Sequence, residues 1–112
     1  MWLVDIIKKL WNKVVNFFRR IINGVLNFFR DIIGWFDNLL LRRDRDIPFV
    51  VNKNGKAFKE LLDEAPIKQV GIFQGNYDEE TDEITEGETI DADGLDDATR
   101  NLLKDEDIVI LS

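Results

Sequence analysis

The chain contains neither cysteine nor histidine, and its 112 residues include one tyrosine, two prolines and one serine. Without cysteine it has no disulfide framework and no thiolate metal site. Without cysteine and histidine it lacks the usual nucleophile–base pairs and the usual zinc and haem ligands. The sequence also contains no GxGxxG or GxxxxGK[ST] phosphate loop. We therefore expect a protein that is not an enzyme, with no catalytic residue, metal, cofactor or small-molecule substrate.

Long apolar runs are missing as well. The longest stretch without a charged residue is about ten residues, in IINGVLNFF, whereas a membrane-spanning helix needs about 20. Lysine and arginine interrupt every apolar segment near the N-terminus, which does not match the layout of a cleavable signal peptide. We expect neither a transmembrane span nor secretion by such a peptide.

Charge is divided unequally along the chain, whose net charge is −7. Residues 1–43 hold eight Lys/Arg and three Asp, a net of +5, whereas residues 44–112 hold seven Lys/Arg and nineteen Asp/Glu, a net of −12. Such asymmetry suggests two parts that face different partners. We predict a basic helix over 1–43, a charged junction at 44–47 and a small acidic domain over 48–112.

The basic part repeats a pattern of eleven residues. Its four units are LVDIIKKLWNK, VVNFFRRIING, VLNFFRDIIGW and FDNLLLRRDRD, at residues 3–46. Eleven residues make almost three helical turns, so equivalent positions return to nearly the same face. The spacing predicts one amphipathic helix over roughly residues 2–43, with the apolar side chains on one side and basic side chains on the other.

Two sets of side chains would carry the function of this helix. The apolar face, which would contact a membrane or a partner, comprises Trp2, Ile6, Ile7, Trp11, Phe17, Phe18, Phe28, Phe29, Trp35 and Phe36. The contacts with an anionic surface would come from Lys8, Lys9, Lys13, Arg19, Arg20 and Arg30.

Three arrangements would cover this apolar face. The first is an anionic membrane surface, and in general pattern the first 40 residues resemble short amphipathic, membrane-active bacterial peptides. The second is packing against partner helices or against copies of itself, which makes a homo-oligomer or a larger complex. The third is a helical hairpin, broken at Asn23-Gly24, that buries its own apolar face.

The junction and the acidic part have mainly local signals. Pro48 disfavours helix at Ile47, so the helix ends there or earlier. The interleaved aspartates of LRRDRD argue against nucleic-acid binding. The expected strands are Ile47–Val51, Lys68–Tyr77, Glu83–Ile90 and Asp107–Leu111, with a hairpin between the second and third. The expected helices are Lys56–Glu64, before Pro66, and one capped by Asp93 that runs to about Lys104.

The predicted fold class is α+β, with the long helix followed by a four-stranded acidic domain. The order β-α-β-β-α-β resembles the ferredoxin-like split βαβ pattern, although order alone does not fix topology. The segment DADGLDD at 91–97 departs from a calcium loop, because its glycine falls at position 4 rather than 6. A possible docking surface for a basic partner consists of Asp78, Glu79, Glu80, Asp82, Glu83, Glu86 and Glu88.

Three functions are compatible with this sequence. The leading hypothesis is a non-enzymatic, peripheral membrane-binding adaptor anchored by its helix. The alternative is a structural subunit of a larger assembly, such as a virion or secretion apparatus, located within that complex. A third hypothesis is a membrane-permeabilising, toxin-like protein held in check by its acidic domain.

Overall fold

Five strands of the chain form one mixed sheet in the order β1-β4-β3-β2-β5. The computed structural model describes residues 2–42, 44–59 and 68–111. The strands are β1 (Phe18–Leu26), β2 (Asp46–Asn52), β3 (Val70–Asp78), β4 (Glu83–Leu95) and β5 (Ile108–Ile110). The helices are α1 (Trp2–Lys9), α2 (Trp11–Val14), α3 (Gly34–Asp37), α4 (Lys56–Lys59) and α5 (Asp97–Leu103), and a π-helical segment (Phe28–Ile33) precedes α3.

The pairing of the strands places β1 at one edge of the sheet. β2, β3 and β4 form an antiparallel meander, and β5 pairs antiparallel with the outer side of β2. β1 instead pairs parallel with β4, with Phe18 level with Glu88 and Ile22 level with Ala92. The first strand of the chain therefore lies beside a strand from the acidic half.

Helices cover both faces of the sheet. Because side chains alternate along a strand, Phe49 and Val51 of β2 enter one core, whereas Val50 enters the other. The first core is covered by α1, α2 and α4, which contribute Leu3, Ile7, Trp11, Val14 and Phe58. The second is covered by the π-helical segment, α3 and α5, which contribute Ile32, Phe36 and Leu103.

The prediction of one long helix over residues 2–43 is wrong. The longest helix in the described part of this region is α1, with eight residues, and residues 18–26 form a strand. Gly24 has a φ of +143°, a conformation outside the helical region. Ile21, Ile22 and Val25 are β-branched residues that suit a strand. Pairing with β4 and its acidic side chains stabilises this strand more than the helical period favours a helix.

The helical hairpin broken at Asn23-Gly24 is not present either, because both residues lie inside β1. The apolar side chains of the repeats are shared between the two cores. Ile7 and Trp11 lie in the first core, and Ile32 and Phe36 lie in the second. Much of the predicted apolar face is therefore covered by the chain's own sheet.

The α+β class and the element order of the acidic half are confirmed in the described residues, with five strands in the sheet rather than four. The expected strands are found within about two residues, except that β4 extends to Leu95. The ferredoxin-like pairing is not formed, because β2 lies next to β3. The cap of α5 is Asp96, not Asp93. Residues 60–67, with the predicted helix end at Glu64 and Pro66, lie outside the described part.

Within the described residues, no helix has the length and apolar character needed to cross a bilayer. This agrees with the expectation from the sequence, in which charged residues interrupt each apolar segment.

Candidate functional site

The outer edge of β1 exposes several large apolar side chains. Phe18, Ile21 and Val25 are 68%, 49% and 51% exposed, and Phe29, just beyond the strand, is 69% exposed. We call these four residues the β1 patch. Isolated exposed apolar residues are ordinary, but Phe18, Ile21 and Val25 follow one unpaired edge, with Phe18 and Ile21 on opposite faces of the sheet. Several exposed apolar residues along a free edge are typical of an interaction surface.

An ion-pair network lies behind the β1 patch. The Nε and Nη2 atoms of Arg20 donate to Oε1 of Glu88 at 3.1 and 2.9 Å, and its Nη1 donates to Oδ1 of Asp31 at 3.0 Å. Arg30 donates to both oxygens of Asp31, and the buried Gln74 donates to the backbone oxygen of Asp31 at 3.0 Å. The network joins β1, β3, β4 and the π-helical segment.

The network shifts the pKa values of Asp31 and Arg20 toward their charged forms. Burial alone would raise the pKa of Asp31, but hydrogen bonds from Arg30, from the backbone N–H of Asn27 and from Arg20 outweigh it, so this pKa is lowered. Burial likewise opposes the charge of Arg20, yet its bonds to Asp31 and Glu88 raise its pKa overall. These groups are therefore ionised at neutral pH.

Arg19 points to the opposite face of the sheet from Arg20, as neighbouring strand residues do. Its Nε lies 3.3 Å from Oδ2 of Asp91, whose side chain is fully buried in β4. Both arginines of β1 therefore contact carboxylates of the chain's own acidic half.

A second ion-pair group joins the junction to the start of the β3–β4 hairpin. Arg45 donates from Nε to Oδ1 of Asp78 at 3.0 Å, and Arg42 contacts Asp46 at 3.1 Å and Asp78 at 3.4 Å. The hydrogen bond from Arg45 is the main reason that the pKa of Asp78 is lowered. The charged junction predicted at 44–47 thus bonds to the sheet.

Tyr77, the single tyrosine, lies in the first core beside this hairpin and donates its hydroxyl hydrogen bond to Asp82. Burial is the main cause, and the contact with Asp82 the next, of a rise in the pKa of Tyr77 to about 12. The side chain is held in its neutral form and packs against the edge of the Trp2 ring.

The predicted membrane or partner face is dispersed by the fold. Its exposed members are Trp2, Phe18 and Phe29. Its half-buried members are Ile6, Phe17, Phe28 and Trp35, and its buried members are Ile7, Trp11 and Phe36. The predicted basic contacts separate similarly: Lys8, Lys9, Lys13 and Arg30 are exposed, whereas Arg19 and Arg20 are half-buried and form ion pairs within the chain.

The predicted acidic docking surface also divides. Its exposed members, at or near the turn of the β3–β4 hairpin, are Glu79, Glu80, Asp82, Glu83 and Glu86. Asp78 and Glu88 are buried and bind arginines of the chain. These two residues support the fold. Of the exposed five, Glu80 pairs with Arg45 and Asp82 accepts a hydrogen bond from Tyr77.

Four residues with ion-pair roles in the structure were not predicted from the sequence: Asp31, Asp91, Arg42 and Arg45. A signal for Asp31 was present: the second repeat has Arg20 where the third has Asp31, a change of charge sign at an equivalent position. Such a reversal indicates a pair between the two repeats, which the structure forms. Asp91 has no comparable signal, because its partner is 72 positions away in the chain.

The described residues contain no group of three or more side chains that could hold a metal ion. Asp91 to Leu95 of the segment considered as a calcium loop belong to β4, and Asp96 caps α5. A cavity of about 600 Å³ beside β2 and β5 is lined by residues that include Leu41, Pro48 and Ile110. Its ionic groups, Arg42 and Asp46, are paired with each other.

Comparison with known proteins gives no relative: no protein-family model, no curated protein and no solved structure matches this chain.

Proposed function

We propose that this protein is a non-catalytic structural subunit that self-associates through the apolar β1 patch. The observation that carries the proposal is the exposure of Phe18, Ile21 and Val25 along one free edge of the sheet, with Phe29 exposed just beyond the strand. A free edge offers unpaired backbone N–H and C=O groups beside these side chains, and both favour association with another chain.

The burial of the apolar side of α1 also supports assembly over membrane anchoring. This side, including Leu3 and Ile7, packs on the sheet, so it is not available to a lipid surface. The exposed residues of β1 lie on a strand edge, and such an edge can satisfy its backbone groups by pairing with protein but not with lipid chains.

The test is sedimentation velocity of the full chain in plain buffer over a wide range of concentration. We expect a reversible oligomer that forms without lipid and that dissociates when Phe18 and Phe29 are both replaced by aspartate, because charges would be buried in an apolar contact. The matched control is Leu40→Asp, since Leu40 is 98% exposed and lies outside the patch. A chain that is monomeric at every concentration would contradict the proposal.

Peripheral membrane binding is the second candidate, and one observation favours it. Trp2 is 48% exposed at the start of α1, and Lys8, Lys9 and Lys13 are exposed on α1 and α2. An aromatic residue with several cations suits an anionic interface. Flotation with anionic and neutral liposomes at low and high salt tests it: binding to anionic vesicles that is lost at high salt supports this candidate, and no flotation removes it.

A further inference from the structure

The edge formed by β1 has few of the features that usually keep sheet edges apart. Free edges are typically blocked by proline, by unpaired charges, by bulges or by being very short. The one irregularity of β1 is a register shift between Ile22 and Val25. β1 has nine residues and no proline. Its charged residues are Arg19 and Arg20, and both are engaged by carboxylates on β4 or on the π-helical segment. No other described strand pairs with its outer side.

We propose that the partner at this edge is a second copy of the chain, and that the two β1 strands pair antiparallel across a two-fold axis perpendicular to the sheet. This inference rests on the proposed function and adds its geometry. A closed two-fold arrangement is the commonest form of self-association, and it joins the two sheets into one continuous sheet. Antiparallel pairing is the direction that such an axis requires.

The charge on β1 agrees with this direction. Both arginines lie in the first three residues of the strand, FRRIINGVL. In an antiparallel pair they face the uncharged second half of the partner's strand. In a parallel, in-register pair each would face its own copy, and like charges directly opposite destabilise a sheet.

One register fits the side chains best. Residues directly opposite each other share a face of the sheet, so the symmetric registers place one residue opposite itself. A register centred on Arg20 would place the Arg20 side chains of the two copies opposite each other. Centring on Ile21 opposes two half-exposed isoleucines and places Phe18 opposite Gly24, which lies in the irregular stretch between Ile22 and Val25 and whose missing side chain leaves open space. Centring on Ile22 extends the pairing beyond this stretch to Val25, whose carbonyl is already bonded to Arg30.

The size of the patch predicts a weak contact. Four partly exposed apolar side chains per copy fall at the low end of specific interfaces, below about 1,200 Å² in total. Association on the order of micromolar is typical of such contacts. We therefore expect a monomer–dimer exchange that depends on concentration.

The absence of cysteine makes a direct test possible, because single cysteines can be introduced without background. In full-length chain, Ile21→Cys should cross-link to its own copy by oxidation or by a short bis-maleimide. Asn23→Cys is the matched control, since Asn23 is exposed on the same strand. In this register Asn23 would lie about 13 Å along the strand from its copy, at about 3.3 Å per residue. We expect a covalent dimer from the first variant and little from the second.

A second measurement uses Ile21→Lys with Leu40→Lys as its control, both checked for native circular dichroism. Sedimentation should show the dissociation constant of the dimer raised by at least about tenfold for the first variant, because a lysine would face its own copy, and unchanged for the second. An oligomer that survives Ile21→Lys, or that cross-links equally at both cysteines, overturns the register and leaves the proposed self-association intact. A monomer at all concentrations overturns both.

Discussion

The carboxylate of Asp31 accepts hydrogen bonds from the side chains of Arg20 and Arg30 and from the backbone N–H of Asn27. We predict that Asp31→Asn lowers the free energy of unfolding by about 1.5–3 kcal/mol, because the two arginines and the Asn27 N–H lose a buried, charged acceptor. Urea unfolding measures this effect. Asp37→Asn is the control, since Asp37 is exposed in the adjoining α3, and its effect should be close to zero.

The pH dependence of the same variant provides a check on the cause. Because the pKa of Asp31 is lowered in the folded chain, its stabilisation is present above the ordinary carboxyl range and is lost as the pH falls through the folded-state pKa. The difference between wild type and Asp31→Asn should therefore shrink at acid pH. A constant difference would show that the ionised carboxylate is not what stabilises the network.

Tyr77 provides a second prediction at the residue scale, because it is the single tyrosine and its absorbance reports one group. Its pKa of about 12 means that the folded chain keeps the neutral form, so the stabilisation is present below the ordinary value of 10 and is lost as the pH rises through 12. Alkaline titration should give that value. Asp82→Asn should lower the pKa but leave it above 10, since burial is the larger cause. A value of 10 in native wild type would contradict the burial of the ring.

At the scale of elements, three equivalent segments of the repeat adopt three different structures. Asp5-Ile6-Ile7 lies in α1, Asn16-Phe17-Phe18 leads into β1, and Asn27-Phe28-Phe29 begins the π-helical segment. Each has a polar residue followed by two apolar residues, but the three segments have different neighbours. The eleven-residue period predicts a helix for all three segments. Residues 18–26 form a strand instead because the arginines and isoleucines of β1 contact β4.

The conformation of Gly24 gives a prediction for β1. A methyl group at Gly24 or at Gly94 would meet no atom within 4 Å, but Gly24 has a φ of +143° and Gly94 has no such positive φ. We expect Gly24→Ala to lower the free energy of unfolding by about 1–3 kcal/mol through backbone strain alone. Gly94→Ala, on the strand that pairs with β1, is the matched control. Chemical denaturation of both variants compares them, and equal losses would exclude strain at Gly24 as the cause.

The elements of the acidic half could be predicted because their signals are local. The hairpin between β3 and β4 follows from two β-rich segments around a polar turn, and the turn after β2 follows from Asn52 to Gly55. What could not be predicted is which strands are neighbours. The prediction of a ferredoxin-like strand order was wrong because a local sequence pattern does not specify which distant strands pair.

At the scale of the whole molecule, the division of charge has an internal explanation. Arg19 and Arg20 of the basic half bind Asp91 and Glu88 of the acidic half, and Arg42 contacts Asp78. The composition suggested two parts that face different partners. It did not show that each half is the other's partner, because that requires the parallel pairing of β1 with β4.

The two cores lead to a prediction about truncation. Residues 2–43 contribute side chains such as Ile7 and Trp11 to one core and Ile32 and Phe36 to the other. We expect residues 44–112 alone to lose cooperative thermal unfolding and near-ultraviolet circular dichroism, since both faces of the sheet would lose most of their helical cover and keep only α4 and α5. Cooperative unfolding of this fragment, equal to that of the full chain, would instead support the division into two domains.

The pairing of the first strand with β4 has a consequence for synthesis on the ribosome. Arg20 is translated 68 positions before Glu88, its partner in the sheet. At about 5–20 residues per second, translation from Arg20 to Glu88 takes on the order of 3–14 s, and until then the strand that covers the apolar repeats has not been synthesised. During that interval they form an aromatic, cationic nascent segment without a core, of the kind that chaperones bind. Slow codons between the two strands would lengthen the wait, and aggregation during expression should increase accordingly.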